Sequence, residues 1–240
     1  EEARLQVERE KLKSTLLRSI SHDLRTPLTS IAGGANFLVN NLDTVESDTS
    51  LNIIQDISKE AMRLNGMVEN LLNMTRIQEG NFKINKKLEV VDDIISTAVS
   101  AITNRKENHE LVVKETKDII LFPCDAQLIV QELVNLLDNA FKHTPDASKV
   151  MLKAFVRNNN IIFQVIDNGK GIEIKQLNHI FDDFFTTSLD NGDHKRGIGL
   201  GLAICKAIVE AHKGEIKAFN NDLGGATFEL SLPLEEENNE

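Results

Sequence analysis

Ser21-His22-Asp23-Leu24-Arg25-Thr26-Pro27-Leu28 sets an imidazole directly beside a carboxylate, with a cation and a hydroxyl three and four residues on. On a helix such spacings share a face, so His22, Arg25 and Thr26 converge. Apolar residues around them recur at Leu16, Ile20, Leu24, Leu28, Ile31, Ala35 and Leu38, the period of one buried helical stripe. His22 lies off that stripe, roughly 200° around the helix from Ile20 and Leu24 at about 100° per residue. An exposed neutral imidazole whose second nitrogen keeps its proton on a carboxylate can act as a nucleophile. A solvated surface histidine is the plain alternative. Pro27 removes the hydrogen bond to the Asp23 carbonyl and is expected to bend the helix one turn after His22.

Three further stretches carry polar chemistry. An apolar strand ending at Ile166 runs into Asp167-Asn168-Gly169-Lys170-Gly171-Ile172. A carboxylate at the end of a buried strand can accept a hydrogen bond from an exocyclic amine such as adenine's, and Gly169 and Gly171 let the backbone approach the ring. Asp-Asn-Gly is also an ordinary turn. Arg196-Gly197-Ile198-Gly199-Leu200-Gly201-Leu202 leads straight into an apolar helix, offering free N–H groups and a helix N-terminus to phosphate oxygens. Its spacing is neither the Rossmann fingerprint nor a P-loop. Within Asn135-Leu136-Leu137-Asp138-Asn139-Ala140-Phe141-Lys142-His143, Asn135 and Asn139 share a helix face with Lys142 close by. Neutral oxygens beside a lysine suit a Mg2+ already charge-balanced by phosphates; capping or bridging of neighbouring elements is the alternative.

The elements that must position these residues come from a chain of 240 residues, 41% hydrophobic and 27% charged, enough for one large or two modest domains, with two expected. A net charge of −10 argues against a broad nucleic-acid surface, so anionic ligands must be bound locally. Cys124 and Cys205 stand far apart in apolar settings and read as reduced packing residues, which fits a cytoplasmic location. No run approaches the ~20 apolar residues a membrane span needs, and no signal peptide is visible. Glu1 to Lys13 already reads as a charged helix without a cap, so a further segment is expected upstream.

Residues 1 to about 41 follow one helical pattern, and Asn40 to Asp43 with Asp48 and Ser50 make a polar connection. In the next helix Ile54, Ile57, Ala61, Leu64, Val68 and Leu71 step 3, 4, 3, 4, 3, a heptad seam. One hairpin leaves such a seam half exposed, so a dimer forming a four-helix bundle is expected; burial against the rest of the same chain is the alternative. Glu79-Gly80-Asn81 closes the hairpin, giving domains at 1–79 and 80–240. Beyond it, strands are expected at 81–84, 110–114, 150–156, 161–166, 215–219 and 226–232, with turns at Asn158 to Asn160 and Gly224-Gly225. Helices are expected at about 90–103, from an Asp125 N-cap to His143, and at 201–212. The expected fold is a helical hairpin followed by an α/β sandwich with a mixed sheet covered by helices. The acidic tail from Glu235 is expected to be disordered.

Taken in order, the His22 motif, Asn135 to His143, Asp167 to Ile172, Phe181-Asp182-Asp183-Phe184-Phe185 and Arg196 to Gly201 resemble the motif set of bacterial sensor histidine kinases. The resemblance covers nearly the whole chain. It implies a dimerisation and phosphoacceptor hairpin followed by an ATP-binding domain of the type shared with gyrase, Hsp90 and MutL. More narrowly, Ser21 to Pro27, Leu71 to Gln78, Gly201 to Gly214 and Ala218-Phe219-Asn220 resemble the potassium-regulated, Kdp-type sensor kinases.

What the resemblance implies is ATP-dependent phosphorylation of His22, then transfer to an aspartate of a cognate response regulator. Asp23 would be the acid–base partner of His22, with Arg25 beside it, and Thr26 would position water for phosphatase action on the regulator. Asp167 would bind adenine. Asn139 and Asn135 would hold Mg2+, and Lys142 would contact phosphate. Around the nucleotide would lie His143, Gly169, Gly171, Ile172, Phe181, Phe185, Thr227 and the lid residues Lys195, Arg196, Gly197, Gly199, Leu200 and Gly201. The full-length protein would be a homodimer carrying upstream sensor and membrane segments, with this part on the cytoplasmic side. His143 stands where tyrosine is usual and Thr186-Thr187 where a basic residue is common, which leaves the lid contacts least secure. In the resembling ATPases a water-activating glutamate occupies the position of Asn135; without that base, ATP is protected from water and histidine is favoured as acceptor. A gyrase- or Hsp90-like clamp and a non-enzymatic dimeric scaffold are the competing readings.

Overall fold

A computed structural model describes residues 2–41, 44–78, 84–103, 108–114, 116, 118–182, 185, 199 and 201–235. They divide into two compact units, the first through Thr75 and the second from Arg76. The first unit is a pair of long helices, α1 (Glu2–Asn40) and α2 (Ser47–Gln78). Pro27 lies inside α1 without ending it. The missing proline N–H removes one bond in a helix of 39 residues, which the remaining ladder tolerates. Asp48 and Ser50, expected in the connection, belong instead to the start of α2, where the Asp48 carboxylate complements the helix dipole.

The heptad seam is divided rather than uniformly covered. Ile57, Leu64 and Leu71, seven apart, are half-buried, whereas Ile54, Ala61 and Val68 are exposed. On α1 the inward row is Ile20, Leu24, Pro27, Ile31, Gly34 and Leu38; Leu28 and Ala35, expected on the same stripe, are exposed. A Cβ on Gly34 would stand 3.1 Å from Ile57 Cγ1 and 3.2 Å from Ile53 Cγ2, so the absent side chain lets the two helices close there. A hairpin has a single internal interface, and a seam with two apolar rows can present only one of them to it. The other row stays open, with Leu28 57% and Ile54 53% exposed.

The second unit runs β1 (Lys87–Val90), α3 (Val91–Ile102), β2 (Glu110–Lys114), β3 (Leu121–Cys124), α4 (Ala126–His143), β4 (Lys149–Arg157), β5 (Asn160–Asp167), α5 (Ile174–Leu177), α6 (Gly201–Ala211), β6 (Glu215–Asn220) and β7 (Ala226–Pro233). Five strands form a sheet in the order β2-β4-β5-β7-β6, with β2 and β4 parallel and the other pairs antiparallel. Strand alternation sends Val150, Leu152, Phe163, Val165, Phe228 and Leu230 into one core with the apolar stripes of α3, α4 and α6. Asn158 and Asn159 both take positive φ, 51° and 60°, and close the β4–β5 hairpin in two residues; Asn160 already pairs with Arg157.

Residues 81–83 of the expected strand at 81–84 lie outside the described residues, and Ile84 is not in a strand. The strand is β1, antiparallel to β3, with Lys87 opposite Cys124 and Val90 opposite Leu121. Nothing in the sequence reading anticipated β3, because Pro123 lies inside it. Proline is tolerated there because a two-stranded sheet offers each strand an open edge. Residues 236–240 of the expected disordered tail lie outside the described residues.

Asp125 caps α4 by accepting from the Leu128 N–H. Its own N–H donates to His212 Nε2 at 3.1 Å, while His212 Nδ1 donates to the Ile208 carbonyl at 2.8 Å. A neutral ring thus joins the start of α4 to the end of α6. Burial holds the His212 imidazole below its usual range. The neutral form is favoured on folding, so this bridge contributes stability fully above the unfolded value of ~6.5 and loses it as pH falls through the lowered folded value. Thermal melts between pH 7.5 and pH 5 are therefore expected to show a shallower acid-side decline in His212→Gln than in the parent. Equal slopes would remove His212 as the cause.

Candidate active site

The first site is built on α1. The His22 side chain is 78% exposed, and its Nδ1 lies 3.1 Å from Oδ1 of the 17% exposed Asp23. With Nδ1 donating to that carboxylate, the ring is fixed as the tautomer whose Nε2 lone pair faces water. Sequence periodicity had placed His22 off the buried stripe, and there it stands. The Thr26 hydroxyl donates to the His22 carbonyl at 3.3 Å and the Thr29 hydroxyl to the Arg25 carbonyl at 2.8 Å. Arg25 and Thr26 are exposed on the same flank.

The second site collects at the end of β5. Asp167, 7% exposed, uses one oxygen, Oδ1, to accept from the Gly169 N–H at 2.8 Å and the Ala226 N–H at 3.1 Å. Among the described residues none hydrogen-bonds its second oxygen, Oδ2, so one acceptor of a fixed carboxylate is open to a donor. Two asparagines that no chemical role was expected of, Asn221 and Asn220, hold the loops around it. The Asn221 Nδ2 donates to the carbonyls of Asp167 at 2.9 Å and Ala226 at 3.0 Å, and its Oδ1 accepts from Leu223 and Gly225. The Asn220 amide brackets Ile172, accepting from its N–H at 2.7 Å and donating to its carbonyl at 2.8 Å.

Glycine is required where these loops meet. A Cβ on Gly225 would lie 2.2 Å from the Asp167 carbonyl oxygen, and Gly171, at φ +71°, would drive one within 2.7 Å of Asn220 Oδ1. Ile172, Phe181 and Phe185 are half-buried against the core, with Phe181 meeting Phe228 edge-on at 6.4 Å between centroids. Thr227, expected at the nucleotide, lies on β7 beside this end of β5. It pairs with Ile166, so strand alternation turns it to the sheet face opposite Asp167, and its hydroxyl is taken up by Asn221. Ala226 instead meets Asp167, through its backbone.

On α4, Lys142 forms an ion pair with Asp138 one turn away rather than standing unengaged. Such part-exposed pairs are worth a few tenths of a kcal/mol, so an arriving phosphate can take the ammonium over. His143 ends α4; desolvation, then Lys142 and Lys170, hold its imidazole below the usual range. Gly199 is half-buried at φ +72° and Gly201 opens α6. Lys195, Arg196, Gly197 and Leu200 lie outside the described residues, as do Thr186 and Thr187.

No group of three or more His, Cys, Asp or Glu that could hold a metal ion occurs among the described residues. Asn135 and Asn139 offer neutral oxygens, which suit a cation whose charge is balanced by phosphates. Asn139 has no side-chain hydrogen bond to any described residue. Asn135 buries its Nδ2, which among the described residues meets only the weakly bonding Cys205 thiol, and its oxygen is the end not buried unpaired. Both residues fit a Mg2+ held mainly by a nucleotide. Both cysteines are buried, and burial pushes the Cys124 thiol up to about 12 and that of Cys205 well above its ordinary value, so both stay unreactive thiols.

Two family models match. Residues 12–80 match the His Kinase A (phospho-acceptor) domain, and residues 124–236 match the histidine kinase-, DNA gyrase B- and HSP90-like ATPase. The chain is 43% identical over 98% of its length to the sensor protein KdpD of Clostridium acetobutylicum, covering 26% of that protein. It is 35% identical over 97% of its length to KdpD of Escherichia coli K12, again covering 26%. It thus spans about a quarter of the length of these relatives. Histidine kinase ThkA, solved in complex with the response regulator protein TrrA, superposes with a TM-score of 0.63 at 23% identity, over 99% of this chain and 66% of that one.

Proposed function

Because this chain belongs to the sensor histidine kinases, we propose that it phosphorylates His22 from ATP and hands the phosphoryl group to an aspartate of a response regulator. The observation that carries this reading is the His22–Asp23 contact, which leaves Nε2 open to water as a nucleophile. Residues 1–79 act as the dimerisation and phosphoacceptor hairpin and residues 80–240 as the ATP-binding catalytic domain. In the transfer, Nε2 attacks the γ-phosphorus; a P–N bond forms as the bond to the ADP oxygen breaks. The ring gains positive charge, and Asp23 holds the Nδ1 proton against it. Arg25 meets the incoming phosphoryl oxygens. Thr26 places water for the reverse task, removing phosphate from the regulator.

Asp167 accepts from the adenine amine, with Gly169, Gly171, Ile172, Phe181 and Phe185 around the base. Lys142, His143, Lys195 and Arg196 meet the phosphates, and the N–H groups of Gly197, Gly199, Leu200 and Gly201 complete the cradle. Asn139 and Asn135 hold Mg2+, which neutralises phosphate charge when bound. The exposed rows of α1 and α2 support a homodimer. Replacing Ile54 and Val68 together by Glu is expected to halve the mass measured by light scattering at micromolar concentration; an unchanged dimer would place the interface elsewhere.

Among the described residues no helix is long and apolar enough to cross a membrane. Sensor and membrane segments belong to the part of the full-length protein beyond this chain, and this part lies on the cytoplasmic side. The deciding experiment is incubation with γ-labelled ATP and Mg2+, then with a receiver protein. Acid-labile, alkali-stable label on the chain that moves to the receiver is the expected result. ATP turnover with no label on the chain would overturn it.

A further inference from the structure

Glu132 sits on α4, one turn before Asn135, and is 0% exposed. Among the described residues neither of its carboxyl oxygens nor the buried Nδ2 of Asn135 makes a hydrogen bond of full geometry; both side chains meet the Cys205 thiol, a weak partner. Among the described residues these are the three buried side-chain polar atoms left without one. Residues three apart share a helix face, and both interact with Cys205 on α6. Orphaned buried polar atoms are rare and costly, and convergent ones are the usual setting of an ordered water with two to four partners.

The Asn135 amide has two ends with opposite properties. Its nitrogen, a donor, is inside; its oxygen, an acceptor, is not among the buried unpaired atoms and is bonded by no described residue. A cation can use only the oxygen. We propose that one buried water bridges Glu132, Asn135 and Cys205 and locks the Asn135 amide nitrogen-in and oxygen-out. Glu132 and Cys205 are thereby positioning residues for the cation that Asn135 and Asn139 hold. The inference rests on the Mg2+ role given to those asparagines above. The water accepts from Asn135 Nδ2 and donates to a Glu132 oxygen and to Cys205 Sγ. Burial pushes the Glu132 carboxyl up to about 8, so at neutral pH it is mostly a neutral acid, able to receive such a bond without a buried charge. With Glu132 made apolar, nothing holds the amide, and a half-turn would aim an N–H at the cation.

The test measures ATP affinity of the whole chain by calorimetry, with Mg2+ and with EDTA. In Glu132→Leu the metal-free affinity is expected within about two-fold of the parent, while the gain on adding Mg2+ shrinks ten-fold or more. Glu132→Gln, which keeps an acceptor for the water, is expected to restore that gain to within three-fold. A lower melting temperature in Glu132→Leu with an unchanged Mg2+ gain would show a merely structural role and overturn the inference, even where His22 is still labelled. A parent that gains nothing from Mg2+ would overturn the asparagine reading and this one together, with label on His22 reporting separately on the kinase reading. Should Glu132→Leu not fold, a high-resolution crystal structure of the parent decides: one water within hydrogen-bond distance of Glu132 and Asn135 is expected, and a dry site overturns the proposal.

Discussion

Replacing His22 by Gln is expected to reduce incorporation of the γ-phosphoryl group below detection while leaving ATP affinity unchanged. The side chain is 78% exposed and, among the described residues, its ring bonds only Asp23, so its loss removes a nucleophile without opening the fold. Glutamine has no nitrogen lone pair free to attack phosphorus. Asp23→Asn supplies the graded counterpart. An amide there still reaches Nδ1, yet it no longer opposes the charge gained in transfer, and it can present an N–H that selects the other tautomer. A loss of about 10²-fold in initial rate is expected, the lower end of what a positioned acid–base group supplies. Label retained at full level in His22→Gln would move the acceptor elsewhere. Steady ATP turnover indifferent to the change would favour a clamp-type ATPase, against which Asn135 stands in place of a water-activating glutamate.

The parts legible in the sequence were those whose evidence is local. Helical periodicity placed His22 on the wet side of α1, Asp125 announced the start of α4, and alternation marked β4 and β5 on either side of an asparagine turn. What escaped were features that depend on a distant partner. The role of Asn221 exists only because the β6–β7 turn folds over the Asp167 carbonyl, 54 residues away in the chain. The meeting of the Thr227 hydroxyl with Asn221 likewise depends on the β5–β7 register, which pairs Thr227 with Ile166. The heptad seam was correct as a count of apolar positions, but spacing cannot tell which row meets the neighbouring helix and which awaits a second chain. Pro123 concealed β3 because a general bar to proline in strands weakens at an open edge.

Asp167→Asn is the second large effect expected, and its value lies in separating ligand from fold. The Gly169 and Ala226 N–H groups both donate to Oδ1 at 2.8 and 3.1 Å, so the asparagine oxygen should keep that position and the loop with it. The amide nitrogen then replaces Oδ2, and a donor faces the adenine amine where an acceptor stood. Losing a hydrogen bond to a charged acceptor is worth about 1.5–3 kcal/mol, or roughly 10- to 150-fold in Kd. The same exchange should narrow the preference for ATP over GTP, since an N–H suits the guanine carbonyl. Calorimetric titration of both nucleotides, beside a melting curve within about 2 °C of the parent, checks each part. Affinity within three-fold of the parent would mean that Asp167 serves only the loop. Gly225→Ala is the contrasting variant. Its Cβ would meet the Asp167 carbonyl oxygen at 2.2 Å, so there binding and melting temperature should fall together.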